Sequence, residues 1–243
     1  MEPKEFLVNV LRPKLISFED SIVFNLLERA QFKRNEVIYV PGKFEGTSGQ
    51  SFFDFLSKGT EELYAKAGKF NDSEEYPSSQ ELDEPVVKRD SPERYIPRAQ
   101  LNLNGRIRDA YFEFVGGICE EGDDREYGSS AIIDIRILNC LSKRIHMGTQ
   151  VAEAKFRADL EMYSELIREG DVEGITEALT NKNVELTIHE RVKFKAGKFQ
   201  EAMPGDCRFR NYVDPEKMKE LYERLIIPIT IEAELEYFDK RLE

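Results

Sequence analysis

No stretch of this chain alternates apolar and polar residues for more than about four positions, while apolar residues recur at three- and four-residue spacing in segment after segment. A chain patterned that way cannot offer the two-faced strands of a sheet; it has to bury apolar stripes, one helix against another. The expected fold is all-α, a single-domain multi-helix bundle over residues 1–243. Its 243 residues suffice for one large core, since domains usually run to about 150 residues.

Leu15, Phe18, Ile22 and Leu26 mark a first amphipathic helix within residues 4–33. Pro13 sets its main start there, with Arg12 at the edge, because proline is tolerated in a first turn and not in a helix interior. Residues 37–40 read as a short strand-like or loop piece before the turn residues Pro41-Gly42 and Gly46-Thr47-Ser48-Gly49. A second helix is expected over 51–66, with Phe52, Phe55, Leu56 and Leu63 on its apolar face. Residues 71–98 lose the apolar period and read as a polar loop. A stripe from Ile107 through Tyr111, Phe114 and Ile118 predicts the next helix, followed by helices over 129–142, 143–168, 172–179 and 183–195. Asp214-Pro215-Glu216 is a start signal for a last helix to Leu242, kinked at Pro228.

Lys+Arg total 35 against 47 Asp+Glu, a net charge of -12, which argues against a protein that tracks a nucleic-acid backbone. His146, His189, Cys119, Cys140 and Cys207 form no C-x-x-C and no H-x-x-x-H, so zinc-finger, zincin and disulfide-scaffold readings fail. Sparse cysteines suit a reducing compartment, and residues 1–5 lack the basic and apolar start of a signal peptide, so a cytoplasmic location is expected. The longest apolar run, residues 225–231, is far short of the roughly 18 a membrane span needs.

The anomaly lies in polar residues on faces that should be apolar. Arg144 and Lys155 are eleven residues apart, three turns plus about 20°, so both cations point the same way, roughly 16 Å apart along the axis. Two long side chains could lean toward one small anion between them. Glu234 aligns with Thr230, Ile227 and Phe238 and is expected to point inward, where burial raises a carboxyl pKa. Asn181 and Glu185 form another i, i+4 polar pair. Each has a blander reading as well: a solvated face for the two cations, a hydrogen-bonded or exposed acid at Glu234, a helix cap at Asn181, and packing roles for His146 and the cysteines.

At these residues the sequence resembles the fungal and plant type of chorismate mutase, an all-helical enzyme of the shikimate pathway. The densest blocks are 18–22, 27–32, Tyr127-Gly128-Ser129-Ser130-Ala131, Leu141-Ser142-Lys143-Arg144-Ile145-His146, Val151-Ala152-Glu153-Ala154-Lys155-Phe156 and Ile227-Pro228-Ile229-Thr230. The resemblance implies rearrangement of chorismate to prephenate in phenylalanine and tyrosine biosynthesis, with no covalent intermediate, no metal and no redox cofactor. It also implies a substrate site made of Arg12, Arg144, Asn181, Glu185 and Thr230, with Lys155 and Glu234 as the catalytic pair. Family members are homodimers regulated by tyrosine and tryptophan at the subunit interface, where Gly128 and Ser129 match the effector segment and Lys69 is a further candidate effector contact. This chain departs from the pattern in having Gly68-Lys69 for an arginine pair, Ile132 for a threonine, and Tyr76-Pro77-Ser78-Ser79 for Phe-Phe-Pro.

Two competing readings make different demands. A non-catalytic helical scaffold or regulatory paralogue should lose the cationic clamps, and an isoprenoid-type helical lyase needs clustered aspartates for magnesium. Asp123-Asp124 is the only adjacent aspartate pair.

Overall fold

The computed structural model describes residues 2–72, 74–79, 81–87, 100–202 and 211–242, and among them there are ten α-helices and no strand. The organising element is α5, Tyr127–Ala158, thirty-two residues long. The sequence reading divided it after Ser142, but the chain continues through that point. Ser142 Oγ donates to Asn104 Oδ1 at 2.6 Å, so its hydroxyl is spent on a neighbouring segment. The interruption comes instead at Asp159, with φ -148° and a side chain that accepts from Met162 N, capping α6, Leu160–Glu169.

Helix α2, Arg12–Arg29, and α10, Ile227–Arg241, both lie along α5. Ile22, Val23, Leu26 and Leu27 of α2 meet Ile137, Leu141 and Ile145 of α5 and Ile229 and Ala233 of α10 in the main core. Burying each large aliphatic side chain contributes about 1.5–3 kcal/mol. Helix α8, Lys182–Ala202, adds Val192 and Ala196, and α4, Asn104–Val115, adds Ile107, Tyr111 and Val115. Helix α8 outruns its expected end at residue 195, and its extension is held by Gln200, whose amide exchanges bonds with Val213 N and O.

Pro13 does not start a helix. A helical segment already runs from α1, Pro3–Phe6, through a π-turn at Leu7–Leu11 into α2, so Arg12 stands in mid-rod and not at a helix start. Pro228 is handled the same way: α9, Glu216–Leu221, leads through a π-turn at Tyr222–Ile226 into α10. In both places the wide turn ends two residues before the proline. The wide turn shows in bonds such as Arg12 N to Leu7 O, which reaches five residues back.

In α3, Phe52–Lys66, the expected apolar face is half right: Phe52 and Leu56 pack against the core, but Phe55 and Leu63 do not. Phe53 is buried among Tyr39 and Phe112, at ring distances of 5.9 and 5.1 Å, while Phe55 and Leu63 are 44% and 69% exposed. Residues 37–40, expected as strand or loop, fall in a 3-10 turn, Glu36–Tyr39, and its extended cap Val40; the turn is entered through Asn35 at φ 51°. That turn is tied down by a fully buried polar group. Arg29 Nε donates to Asp134 Oδ1 at 2.9 Å, and Tyr39 and Tyr111 each donate to Asp134 at 2.6 Å. The described part of 71–98 is irregular, as expected, yet anchored: Tyr76 stacks on His146 at 3.9 Å, and Glu61 accepts from Ser78 N and Ser79 N. Cys119 and Cys140 carry free thiols; Cys207 lies outside the described residues.

Candidate active site

Arg144 and Lys155 share a face of α5, and α10 lays Glu234 against it. Lys155 Nζ stands 3.9 Å from Glu234 Oε2 and donates to Leu179 O at 2.8 Å, which ties the end of α7, Val172–Leu179, to the same spot. Glu234 is 6% exposed. Burial pushes its carboxyl up to about 7 against the pull of Lys155 and then Arg144, so a large share of it carries a proton near neutrality. The expectation that Glu234 points inward holds.

Arg144 is also 6% exposed, and its Nε has no hydrogen-bond partner. A buried cation left unpaired costs several kcal/mol unless something answers it. The nearby Glu19 does not: Arg191 holds it in a two-pronged bond at 2.6 and 2.7 Å, and Lys195 adds a third at 3.2 Å. That cluster clamps α8 to α2. Tyr222, in the π-turn, is fully buried with an unpartnered hydroxyl; burial raises its pKa, and Arg144 is the main charge opposing the rise. Sequence reading missed Tyr222 because it is spaced like a core aromatic, and only its orphaned oxygen sets it apart.

The remaining expected residues surround this centre with less commitment. Arg12 is exposed and follows Leu11, which packs on Met147, Val151 and Ala154 between the two cations of α5. Asn181 is the cap of α8, its Oδ1 accepting from Asn183 N and Val184 N, so the capping role is real and leaves only its Nδ2 to give away. Glu185 is half-buried one turn further on. Thr230 Oγ1 donates to Ile226 O at 2.6 Å, leaving its lone pairs facing out.

The expected effector residues are not joined by any hydrogen bond or ion pair among the described residues. Gly128 and Ser129 open α5, with Ser129 Oγ on Glu126 Oε2 at 3.2 Å. Lys69 instead lies 3.5 Å over the Tyr64 ring and 3.8 Å from the buried Glu75, which also pairs with Lys143.

A cavity of about 790 Å³ lies elsewhere, between α3, α4, α5 and residues 76–82. Its lining mixes apolar side chains with hydroxyls and amides, its one guanidinium, Arg108, is bound to Asp54 at 2.7 Å, and its carboxylate, Glu61, accepts from Ser78 N and Ser79 N. Among the described residues no group of three or more His, Cys, Asp or Glu could hold a metal, and no helix is long and apolar enough to cross a membrane.

The fold and the Arg144, Lys155 and Glu234 site define an all-helical enzyme for a small anionic substrate, with a buried carboxyl of raised pKa set against cations. The chain belongs to the chorismate mutase family. The model of type II chorismate mutases matches residues 127–235. The chorismate mutase of Schizosaccharomyces pombe is 35% identical over 239 residues, covering 96% of this chain and 95% of that protein. Among solved structures, the Candida albicans chorismate mutase in complex with L-Trp superimposes with a TM-score of 0.89 at 32% identity, covering 100% of this chain and 94% of that one. AtCM1, solved with tyrosine and with phenylalanine bound in an allosteric site, superimposes with a TM-score of 0.87 at 34% identity, covering 100% and 99%.

Proposed function

We propose that the whole chain, residues 1–243, is one chorismate mutase domain that rearranges chorismate to prephenate in the pocket between α5 and α10. The observation that carries this is the buried guanidinium of Arg144, its Nε without a partner, in the field of a buried Glu234 whose carboxyl is raised to about 7. Chorismate supplies what that arrangement lacks, namely two carboxylates and an ether oxygen that gains negative charge as its C–O bond breaks.

Arg144 takes one carboxylate in its planar fork, and Arg12, exposed at the rim, takes the other. Held at both ends, the enolpyruvyl arm folds over the ring, and this positioning is much of the catalysis. Lys155 and the protonated Glu234 then donate to the ether oxygen, where fixed donors act most strongly because charge develops there only in the transition state. Asn181 Nδ2 and Glu185 receive the ring hydroxyl and its neighbouring carboxylate oxygen, and Thr230 lines the second carboxylate. Thr230 can donate there only by releasing Ile226 O. No step requires a nucleophile, a metal or a redox group.

The assay is the loss of chorismate absorbance on adding purified protein, with Arg144→Ala and Lys155→Ala in parallel. Turnover by the natural chain and its collapse in both variants is the expected result; no turnover returns the chain to the scaffold reading. A homodimer is supported by the exposed apolar side chains Phe55, Leu63 and Ile132. Aromatic amino acids are proposed as effectors by analogy with the relatives that bind them, with Gly128 and Ser129 as the contact segment. Lys69 reaches an effector only by leaving Glu75.

A further inference from the structure

We infer that Gly148 is a positioning residue for the rearrangement: lacking a side chain, it lets α10 lie close enough to α5 to hold Glu234 beside Lys155. The inference rests on the reading of the site above. A β-carbon at Gly148 would stand 3.0 Å from Thr230 Cγ2, 3.2 Å from the Thr230 carbonyl oxygen and 3.3 Å from Glu234 Cγ. All three atoms belong to α10, and all three come from residues assigned to the substrate.

Those contacts have little room to relax. The carbonyl oxygen is backbone, and Thr230 Oγ1 donates to Ile226 O at 2.6 Å, which fixes the rotamer that aims Cγ2 at Gly148. Any side chain at 148 therefore pushes α10 away by a few tenths of an ångström. Glu234 Oε2, 3.9 Å from Lys155 Nζ, travels with it.

Nothing within α5 asks for this glycine. Its φ is not positive, and alanine is the better helix former in an interior position. Its place is set by function: it follows Arg144 by four residues and precedes Lys155 by seven, so it lies on the face the two cations share. Gly197 in α8 is a contrast, since an added β-carbon there meets nothing within 4 Å.

The test compares Gly148→Ala and Gly197→Ala with the natural protein, reading kcat and KM from chorismate absorbance and the melting temperature from circular dichroism. A misplacement of about 1 Å at reacting groups can cost about a hundredfold, so one of a few tenths of an ångström should cost on the order of tenfold. Gly148→Ala is expected to lose at least that in kcat, with KM changed less and the melting temperature kept, while Gly197→Ala keeps both kinetic constants and melts no earlier than the natural protein, alanine being the better helix former. Adding Thr230→Ser, which deletes the obstructing Cγ2 and keeps the hydroxyl, should restore part of the lost kcat.

A Gly148→Ala kcat within twofold of the natural value overturns the inference. If Gly148→Ala melts early, the double variant decides: recovery of the melt without recovery of kcat also overturns it. A natural protein that leaves chorismate untouched refutes the reading of the site itself, which is a separate outcome.

Discussion

Replacing Glu234 by Gln removes an ionisable proton while keeping a hydrogen-bond donor at the same place, so it isolates the protonation state from the geometry. With the carboxyl held at about 7 in the folded protein, the protonated fraction falls to roughly one in eleven a unit above that midpoint and to about one in a hundred two units above. The natural protein's kcat/KM, which reports groups of the free enzyme, should therefore drop about a hundredfold between pH 6 and pH 9, equivalent to about 2.7 kcal/mol of lost transition-state stabilisation. The kcat limb should lie at higher pH, because bound chorismate brings two negative charges that oppose a third. Glu234→Gln donates at every pH, and its profile should be flat over that range. The assay is chorismate absorbance at constant ionic strength. A variant that keeps the natural protein's alkaline limb refutes the role given to Glu234.

The same group makes a stability prediction of definite sign. Its carboxyl rises from 4.5 to about 7 on folding, so between those values the unfolded chain has released a proton that the folded chain retains. The folded state binds more protons, and stability falls as pH rises through the window. Glu234→Gln should thus gain on the natural protein between pH 4.5 and pH 7, by an amount on the order of 3 kcal/mol, read as a widening gap in urea midpoints. A gap that stays constant with pH would contradict the burial argument.

Three further outcomes are expected. Lys155→Ala should lower kcat by 10²–10³, about 3–4 kcal/mol, as for the loss of one preorganised donor; a change in KM alone would assign Lys155 to binding. Asp134→Ala, which leaves the buried Arg29 without its charge partner, should cost about 3–5 kcal/mol in a urea melt, and a loss under 1 kcal/mol would mean that water reaches the site. In light scattering the natural protein should weigh twice 28.2 kDa, and Leu63→Lys should halve that value if the exposed face of α3 forms the interface.

Much of this was legible in the sequence. Helical period gave the class, and Asp214-Pro215-Glu216 marked the start of the last helical segment to within one residue: Pro215 takes the cap position expected for Asp214, whose Oδ1 accepts from Glu216 N. The alignment of Glu234 with Phe238 and Thr230 predicted its burial, because phase along a helix is a local property. What failed depended on partners elsewhere. Phe53 and Phe55 are both apolar, and only the presence of Tyr39 and Phe112 on one side decides which is buried. Pro13 looked like a start because the sequence does not announce a π-turn. Asp159 carried a cap signal, with Glu161 in the first turn of α6, yet the apolar stripe on either side hid it. Arg144 read equally well as a solvated cation, and it took the commitment of Glu19 to Arg191 and Lys195 to leave it unanswered.

The π-turn at Tyr222–Ile226 also acts as a gear between two halves of the last helix. Met218 and Tyr237 both face the interior, though nineteen residues at 100° each leave them about 100° out of register in an uninterrupted α-helix. The wide turn absorbs one extra residue and cancels the offset. Tightening 222–226 into an ordinary α-helix with no residue removed would rotate Glu234 by about 100° relative to the Met218 and Leu221 anchor, whereas deleting one residue there would remove the wide turn and keep the phase. The family's acid is therefore aimed by the wide turn itself, and a chain in which that turn closed up could keep every site residue yet lose the site.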